Sequence, residues 1–380
     1  MPHQHEALAK HRQEIDVIDN QILELLARRY RVVKEVVDIK IKKGLPIYVP
    51  KREQEMVGVF REKAKKLGLD EQFAEDLLRM LMNVSRKNQS ETGFPRSTED
   101  VKTIAVIGGA GGMGNLYASN IRKTGNTVLI VDKNEADWQE LAAQAENIDL
   151  CIITVPIHAT IDIIKKLGTI LTDKTILVDF TSHKADPVNA MHIYHKGPVI
   201  GMHPMHGPDS DNLSKQLMVV CKGRRWEEGQ WFIEQCELWG MRMLYADANK
   251  HDHIMNLVQG LRHYVALLHG SFMKEYDLKP EEIVEYSSPI YRAELMMTGR
   301  IFAQSAELYA DIVFSNDERR ALLINFFEHH RQLADHIRNN DKKAFVNEFN
   351  QVSNYFGDFA PQAQEESSYL ISHLFDRFAI

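Results

Sequence analysis

From about residue 6 to residue 42 the chain contains neither glycine nor proline, and the first break comes at Gly44. Ile15, Ile18, Ile22, Leu25, Leu26, Val32, Val33, Val36 and Ile39 recur at helical spacing across that stretch. The pattern predicts one helix of roughly 35 residues, ~50 Å long. GLPIYVP ends it, and two shorter helical patterns follow, around 51–67 and 70–89. Two short helices cannot cover an apolar stripe of that length. The stripe calls for a second long helix, and so for a homodimer.

QSETGFPRSTED, Gln89 to Asp100, is polar, holds a Gly and a Pro, and reads as a linker. Beyond it the rhythm changes. TIAVIG, NTVLIVD, DLCIITVP, TILVDFTS and PVIGMHP are short β-branched runs separated by helical stretches, the signature of a parallel sheet with helices on its faces. MVVCKG and RMLYAD are further strand candidates, with WEEGQWFIEQCELWG as the helix between them. From about Asn249 onward the pattern is helical throughout. The expected division is an all-α segment over 1–90, a linker over 91–100, an α/β Rossmann-type domain over 101–247 and an all-α domain over 248–380.

Composition narrows the function class. With 380 residues, 26% of them charged, and a net charge of −7, the chain has no basic block for nucleic acid. MPHQHEALAKHRQEID lacks the apolar core of a signal peptide, and LCIITVPI is far too short for a bilayer span, so no membrane partner is expected. Cys151, Cys221 and Cys236 include no C-x-x-C pair and suit buried thiols in a reducing, cytoplasmic setting.

GGAGGMG directly follows the first strand, and Gly109, Gly111 and Gly114 within it form G-x-G-x-x-G. A helix (NLYASNIRK) follows, and Asp132 closes the next strand. In that context the glycines permit a tight turn and close approach to a pyrophosphate, which Gly112 and Met113 also face at the helix N-terminus. Asp132 would bond a ribose 2′-hydroxyl and repel a 2′-phosphate, which favours NAD over NADP. Ligands of such sheets sit at the carboxyl ends of the strands, where Thr154, Val155, Pro156 and FTSHK also fall.

IGMHPMHGPD, Ile200 to Asp209, sits at that same edge. His203 and His206 are three apart, but Pro204 between them forbids the helical turn that would join them as metal ligands, and no third ligand stands nearby. No metal is expected.

Taken in order, Arg12, RRY, GLPIYVPKRE, GGAGGMG, MHPMHGPD, HD and SSPIYRAELMMTGR resemble the bifunctional T-protein family, fusions of chorismate mutase and prephenate dehydrogenase in tyrosine biosynthesis. The resemblance covers nearly the whole chain. It implies a helical chorismate mutase domain, an NAD-binding domain and a C-terminal helical dimerisation domain. It makes His203 the catalytic base, taking the ring hydroxyl proton of prephenate as hydride leaves for NAD, and Ser182 a hydrogen-bond partner of that hydroxyl. Histidine suits the step because its ordinary pKa lies near 6.5. His206 stands where an aromatic residue is common, and its expected role is packing. Arg292 and Arg300, about two turns apart and within ~80° on one helix face, are implied in substrate recognition, Arg300 on the ring carboxylate. His251 and His263 match positions near the substrate and the feedback inhibitor L-tyrosine. Arogenate, with an amino group in place of the side-chain ketone, remains an open alternative substrate.

The mutase step is a unimolecular rearrangement, needing only cations and amide donors that hold two carboxylates and stabilise the breaking ether oxygen. Arg29 and Lys40 differ by only ~20° around the first helix, whereas Arg12 lies ~25 Å from Arg29. Arg12 can join them only from a partner's helix. The resemblance adds Arg52, Glu53, Ser85 and Gln89, with Gln89 on the ether oxygen and Glu53 on the substrate hydroxyl; Val49 occupies a position that is acidic in some relatives. The competing reading makes the first 90 residues an idle dimerisation or tyrosine-sensing module on a dehydrogenase.

Overall fold

The computed structural model describes residues 2–210 and 212–378, with the side chains of 8–210 and 212–372. It divides into two compact units, Met1–Ala248 and Asn249–Ile380.

The first unit opens with α1 (Pro2–Lys42), α2 (Pro50–Lys66) and α3 (Glu71–Thr92). The absence of Gly and Pro lets α1 run unbroken. Asp70 starts α3 by accepting from the Phe73 amide at 2.7 Å, an N-cap that satisfies one of the helix's orphan donors. A small core of Val57, Leu78 and Met82 joins α2 to α3. Most of the α1 stripe stays exposed; Ile15 and Leu25 are 55% and 63% accessible.

The α/β part follows as β1 (Thr103–Ile107), α4 (Gly112–Arg122), β2 (Thr127–Val131), α5 (Glu135–Ala143), β3 (Leu150–Ile153), α6 (Ile157–Leu167), β4 (Ile176–Asp179), α7 (Ala185–Tyr194), β5 (Val199–Pro204), β6 (Leu217–Lys222), α8 (Gln230–Leu238) and β7 (Arg242–Tyr245). The strands form one sheet in the order β2-β1-β3-β4-β5-β6-β7. The first five are parallel, and β6 runs antiparallel to β5. Alternation along each strand feeds two core layers. Ile104, Val106, Ile152 and Val178 face Tyr117, Phe232 and Trp239 on one side, while Ala105, Ile107, Cys151 and Leu177 face Trp138, Leu141 and Ile164 on the other. All three cysteines are free and buried.

The polar composition of 89–100 conceals how firmly that segment is held. Gln89 to Thr92 continue α3, and Phe94 is buried edge-on against Trp239. The Ser97 amide donates to Gln235 Oε1 at 3.0 Å, and Gln235 Nε2 donates to the Pro95 carbonyl at 3.1 Å. Ile47, from GLPIYVP, enters the same core layer, so the helical segment and the sheet share packing.

The second unit is helical: α9 (Ala248–Met255) leads through a π-helical turn (Asn256–Leu261) into α10 (Arg262–Glu275). Then come α11 (Pro280–Glu285), α12 (Pro289–Phe302), α13 (Ala306–Val313), α14 (Asp317–Arg338), α15 (Lys342–Phe356) and α16 (Phe359–Phe378). Among the described residues no helix is long and apolar enough to cross a membrane.

Candidate active sites

The nucleotide loop is built by close approach. Gly108 has φ +77°, donates its amide to the Val131 carbonyl at 2.7 Å, and packs against the Thr154 and Val155 side of β3. A Cβ on Gly114 would lie 2.7 Å from Gly109 Cα and from Thr154 Oγ1, and closer still to the Gly108 carbonyl oxygen. Only glycine lets α4 start this near the strand, with the amides of its first turn pointing at the loop mouth. Ala110 donates to Asp132 Oδ2 at 3.2 Å, so the acid at the end of β2 already touches the loop. Thr154 Oγ1 donates to the Ile107 carbonyl at 2.8 Å, and Pro156 leads into α6. Met113 packs on the core. The shape of this cradle fits a dinucleotide: it brings Gly109, Gly111, Gly114, Thr154 and Asp132 together around the loop, while Met113 turns to the core.

The loop that follows β5, and so His203, closes on that cradle. A Cβ on Gly112 would meet the Pro208 ring at 2.9 Å. His203 is buried near the end of β5, opposite Val219 of β6. Ser182, half-buried, lies in the turn between β4 and α7. His206 packs on α4: its Nε2 is 3.1 Å from the Tyr117 hydroxyl and its ring stacks on Tyr117. Burial holds its pKa below the ordinary histidine value. Packing is what the sequence expected of it.

Beneath the loop lies a pair the sequence reading missed. Lys184 and Asp179, both fully buried, form an ion pair, and Lys184 also donates to the Met202 carbonyl at 2.8 Å. Thr181 donates to the same Asp179 oxygen through its hydroxyl and, at 3.2 Å, through its amide. Lys184 stood in the quoted FTSHK, but nothing local marks a lysine as buried.

In the α1–α3 groove, Arg29 donates to Ser85 Oγ at 2.6 Å and to the Leu81 carbonyl at 3.2 Å. Lys40 donates to the Ile47 carbonyl at 2.9 Å; burial lowers its pKa, partly offset by the nearby Glu53 charge. Gln89 is buried, and its Oε1 has no hydrogen-bond partner among the described residues. Glu53 is ion-paired with Arg86 and, at 2.8 Å, with Lys215. Neither partner was anticipated. Arg86 had a readable signal, since it shares the buried face of α3 with Met82, Ser85 and Gln89. Arg52 is exposed and lies 3.6 Å from Glu55. Arg12 is exposed on α1, apart from this group.

In the second unit, Arg292 is half-buried and Arg300 exposed on α12, which Ser288 caps. His263 meets the Tyr309 ring edge-on at 4.8 Å. Burial, then the Arg262 and Arg319 charges, depress its pKa to about 4. Tyr309 in turn lies within the fields of Arg262 and Arg300. His251 is buried, its Nδ1 2.8 Å from Asp252 Oδ1. Arg319, also buried, donates to Asn256 Oδ1 at 3.0 Å across Gly260, where any side chain would collide with it. Asp252 and Glu318 act on Arg319 in turn, so charges of both signs surround these groups.

Comparison with known proteins agrees with this layout. Residues 11–90 match the family model for chorismate mutase type II. Residues 118–230 match the nucleotide-binding domain of prephenate dehydrogenase, and 247–351 its dimerization domain. The T-protein of Enterobacter agglomerans is 39% identical over 95% of this chain and 96% of its own. That of Haemophilus influenzae is 37% identical over 98% of both. Among solved structures, a prephenate dehydrogenase from Aquifex aeolicus superposes with a TM-score of 0.53 at 20% identity, covering 66% of this chain and 98% of that one; it speaks to the fold alone.

Proposed function

This chain belongs to the T-protein family, the fused chorismate mutases and prephenate dehydrogenases of tyrosine biosynthesis, and on that premise we propose which residues carry each reaction. The enzyme converts chorismate to prephenate, then prephenate and NAD to 4-hydroxyphenylpyruvate, carbon dioxide and NADH. The idle-module reading of the first 90 residues falls away.

For the dehydrogenase, the glycine loop and Asp132 hold the dinucleotide, which supplies the hydride acceptor when bound. His203 takes the proton of the ring hydroxyl, Ser182 orients that hydroxyl, and Arg300 binds the ring carboxylate, with Arg292, His251 and His263 completing recognition. The observation that carries this reading is the contact of Gly112 with Pro208, which sets the loop after His203 against the nucleotide cradle. For the mutase, Arg29 and Lys40 bind the carboxylates, Gln89 donates to the ether oxygen, and Glu53 accepts from the substrate hydroxyl. Ser85 and Arg52 line the site, and Arg12 reaches it from a second copy of α1. The homodimer is supported by the exposed stripe on α1 and by exposed Phe345, Phe349 and Tyr355 in the second unit. L-Tyrosine is the expected feedback inhibitor, and the cytoplasm the expected compartment.

The test is chorismate without NAD. Prephenate should accumulate, and later addition of NAD should yield one NADH per prephenate. No loss of chorismate would remove the mutase assignment.

A further inference from the structure

The mutase residues are in direct contact with the dehydrogenase part of the chain. Lys215, in the turn before β6, places Nζ 2.8 Å from Glu53 Oε2, while Arg86 of α3 holds Oε1. Lys215 Nζ also lies 4.9 Å from the centre of the Tyr48 ring, and the Arg86 guanidinium 5.9 Å from it. Tyr48 comes from the loop that joins α1 to α2. One carboxylate therefore sits between two cations, beside a ring that both approach.

The turn that delivers this lysine is held against its backbone preference. Lys215 has φ +67°, one of four positive-φ non-glycine residues among those described. The left-handed region costs an L-residue roughly 1–2 kcal/mol, and glycine would adopt it freely. The Lys215 amide donates to the Gly240 carbonyl at 2.8 Å. Gly240 is itself at φ +85°, and a Cβ there would lie 2.9 Å from Tyr48 Cβ and Ser214 Oγ. A side chain kept where glycine fits better points to a use for that side chain.

Chorismate brings two carboxylates, which a lone Glu53 would repel. Flanked by Arg86 and Lys215 the cluster carries a net positive charge, and each carboxylate oxygen keeps a lone pair for a hydroxyl donor. We propose that Lys215, supplied by the dehydrogenase domain, is a positioning residue of the mutase: it orients Glu53 and cancels its repulsion of the substrate. This rests on the assignment of Glu53 to the mutase site.

The experiment is a double-mutant cycle in the full-length enzyme, with chorismate as the probe and prephenate oxidation in the same preparations as the check on folding. Lys215→Met should raise the chorismate KM roughly fivefold, a modest effect because the lysine side chain is 39% exposed. The mutase kcat should stay within about twofold, and Lys215→Arg should restore KM. In a Glu53→Gln background the same Lys215→Met change should have no further effect. A parental KM in Lys215→Met beside an impaired Glu53→Gln overturns the role of Lys215 alone, as does an equal effect in both backgrounds. Parental mutase kinetics in Glu53→Gln instead removes Glu53 from the site, and the proposal with it.

Discussion

Gly114→Ala is the sharpest probe of the nucleotide cradle. The added methyl would sit 2.7 Å from Gly109 Cα and Thr154 Oγ1, and nearer still to the Gly108 carbonyl oxygen. Two of the three obstacles are backbone atoms of the loop itself, fixed by the bond from the Gly108 amide to Val131, so no side-chain rotation relieves the overlap. The first turn of α4 must move away from β1, taking its amides with it. Such overpacking costs about 1–3 kcal/mol, and if it falls wholly on nucleotide binding it corresponds to a roughly 5- to 150-fold rise in the KM for NAD. Gly112→Ala meets only the Pro208 ring, at 2.9 Å, and should raise that KM less. The assay is initial NADH formation at saturating prephenate with NAD varied, and mutase turnover in the same samples reports that the protein is folded. An unchanged KM for NAD in Gly114→Ala would refute the assignment of this loop to the pyrophosphate.

Two further outcomes follow from buried charge. Asp179→Ala leaves Lys184 buried without its carboxylate, which should lower stability by roughly 3–5 kcal/mol; thermal unfolding should show it, and adding Lys184→Met should recover most of the loss. The second concerns pH. The folded state holds His263 at about 4, below its unfolded value near 6.5, so the unfolded chain gains a proton first as pH falls. Stability from this group is complete above pH 6.5 and is lost toward pH 4. His192, His195 and His206, all lowered chiefly by burial, push the same way. Chemical denaturation at pH 7 and pH 5 should show His263→Gln losing roughly 1 kcal/mol less than the parent, allowing for solvent screening at a partly exposed ring.

What the sequence revealed was whatever is local or periodic. The Gly-free run announced α1, the β-branched runs announced the sheet, and GGAGGMG lay where strand, loop and helix require it. The reversed direction of β6 was not readable, because strand runs carry no sign of polarity. Nor was the pinned segment 93–97, whose polar residues bond to α8. The Glu53–Arg86–Lys215 cluster, the Asp179–Lys184 pair and the Arg319–Asn256 bond share one reason for going unseen: each depends on partners that tertiary packing alone brings together, and a charged residue looks exposed until its partner is known.

His203→Asn in the full-length chain tests the central claim, two reactions on two separate sets of residues, more directly than any other variant. With chorismate and NAD supplied together, the parent should produce NADH, while the variant should convert chorismate to prephenate at the parental rate and lose roughly 10²–10⁴-fold in NADH formation. NADH formation close to the parental rate, or a mutase rate that falls in step with it, would contradict the account.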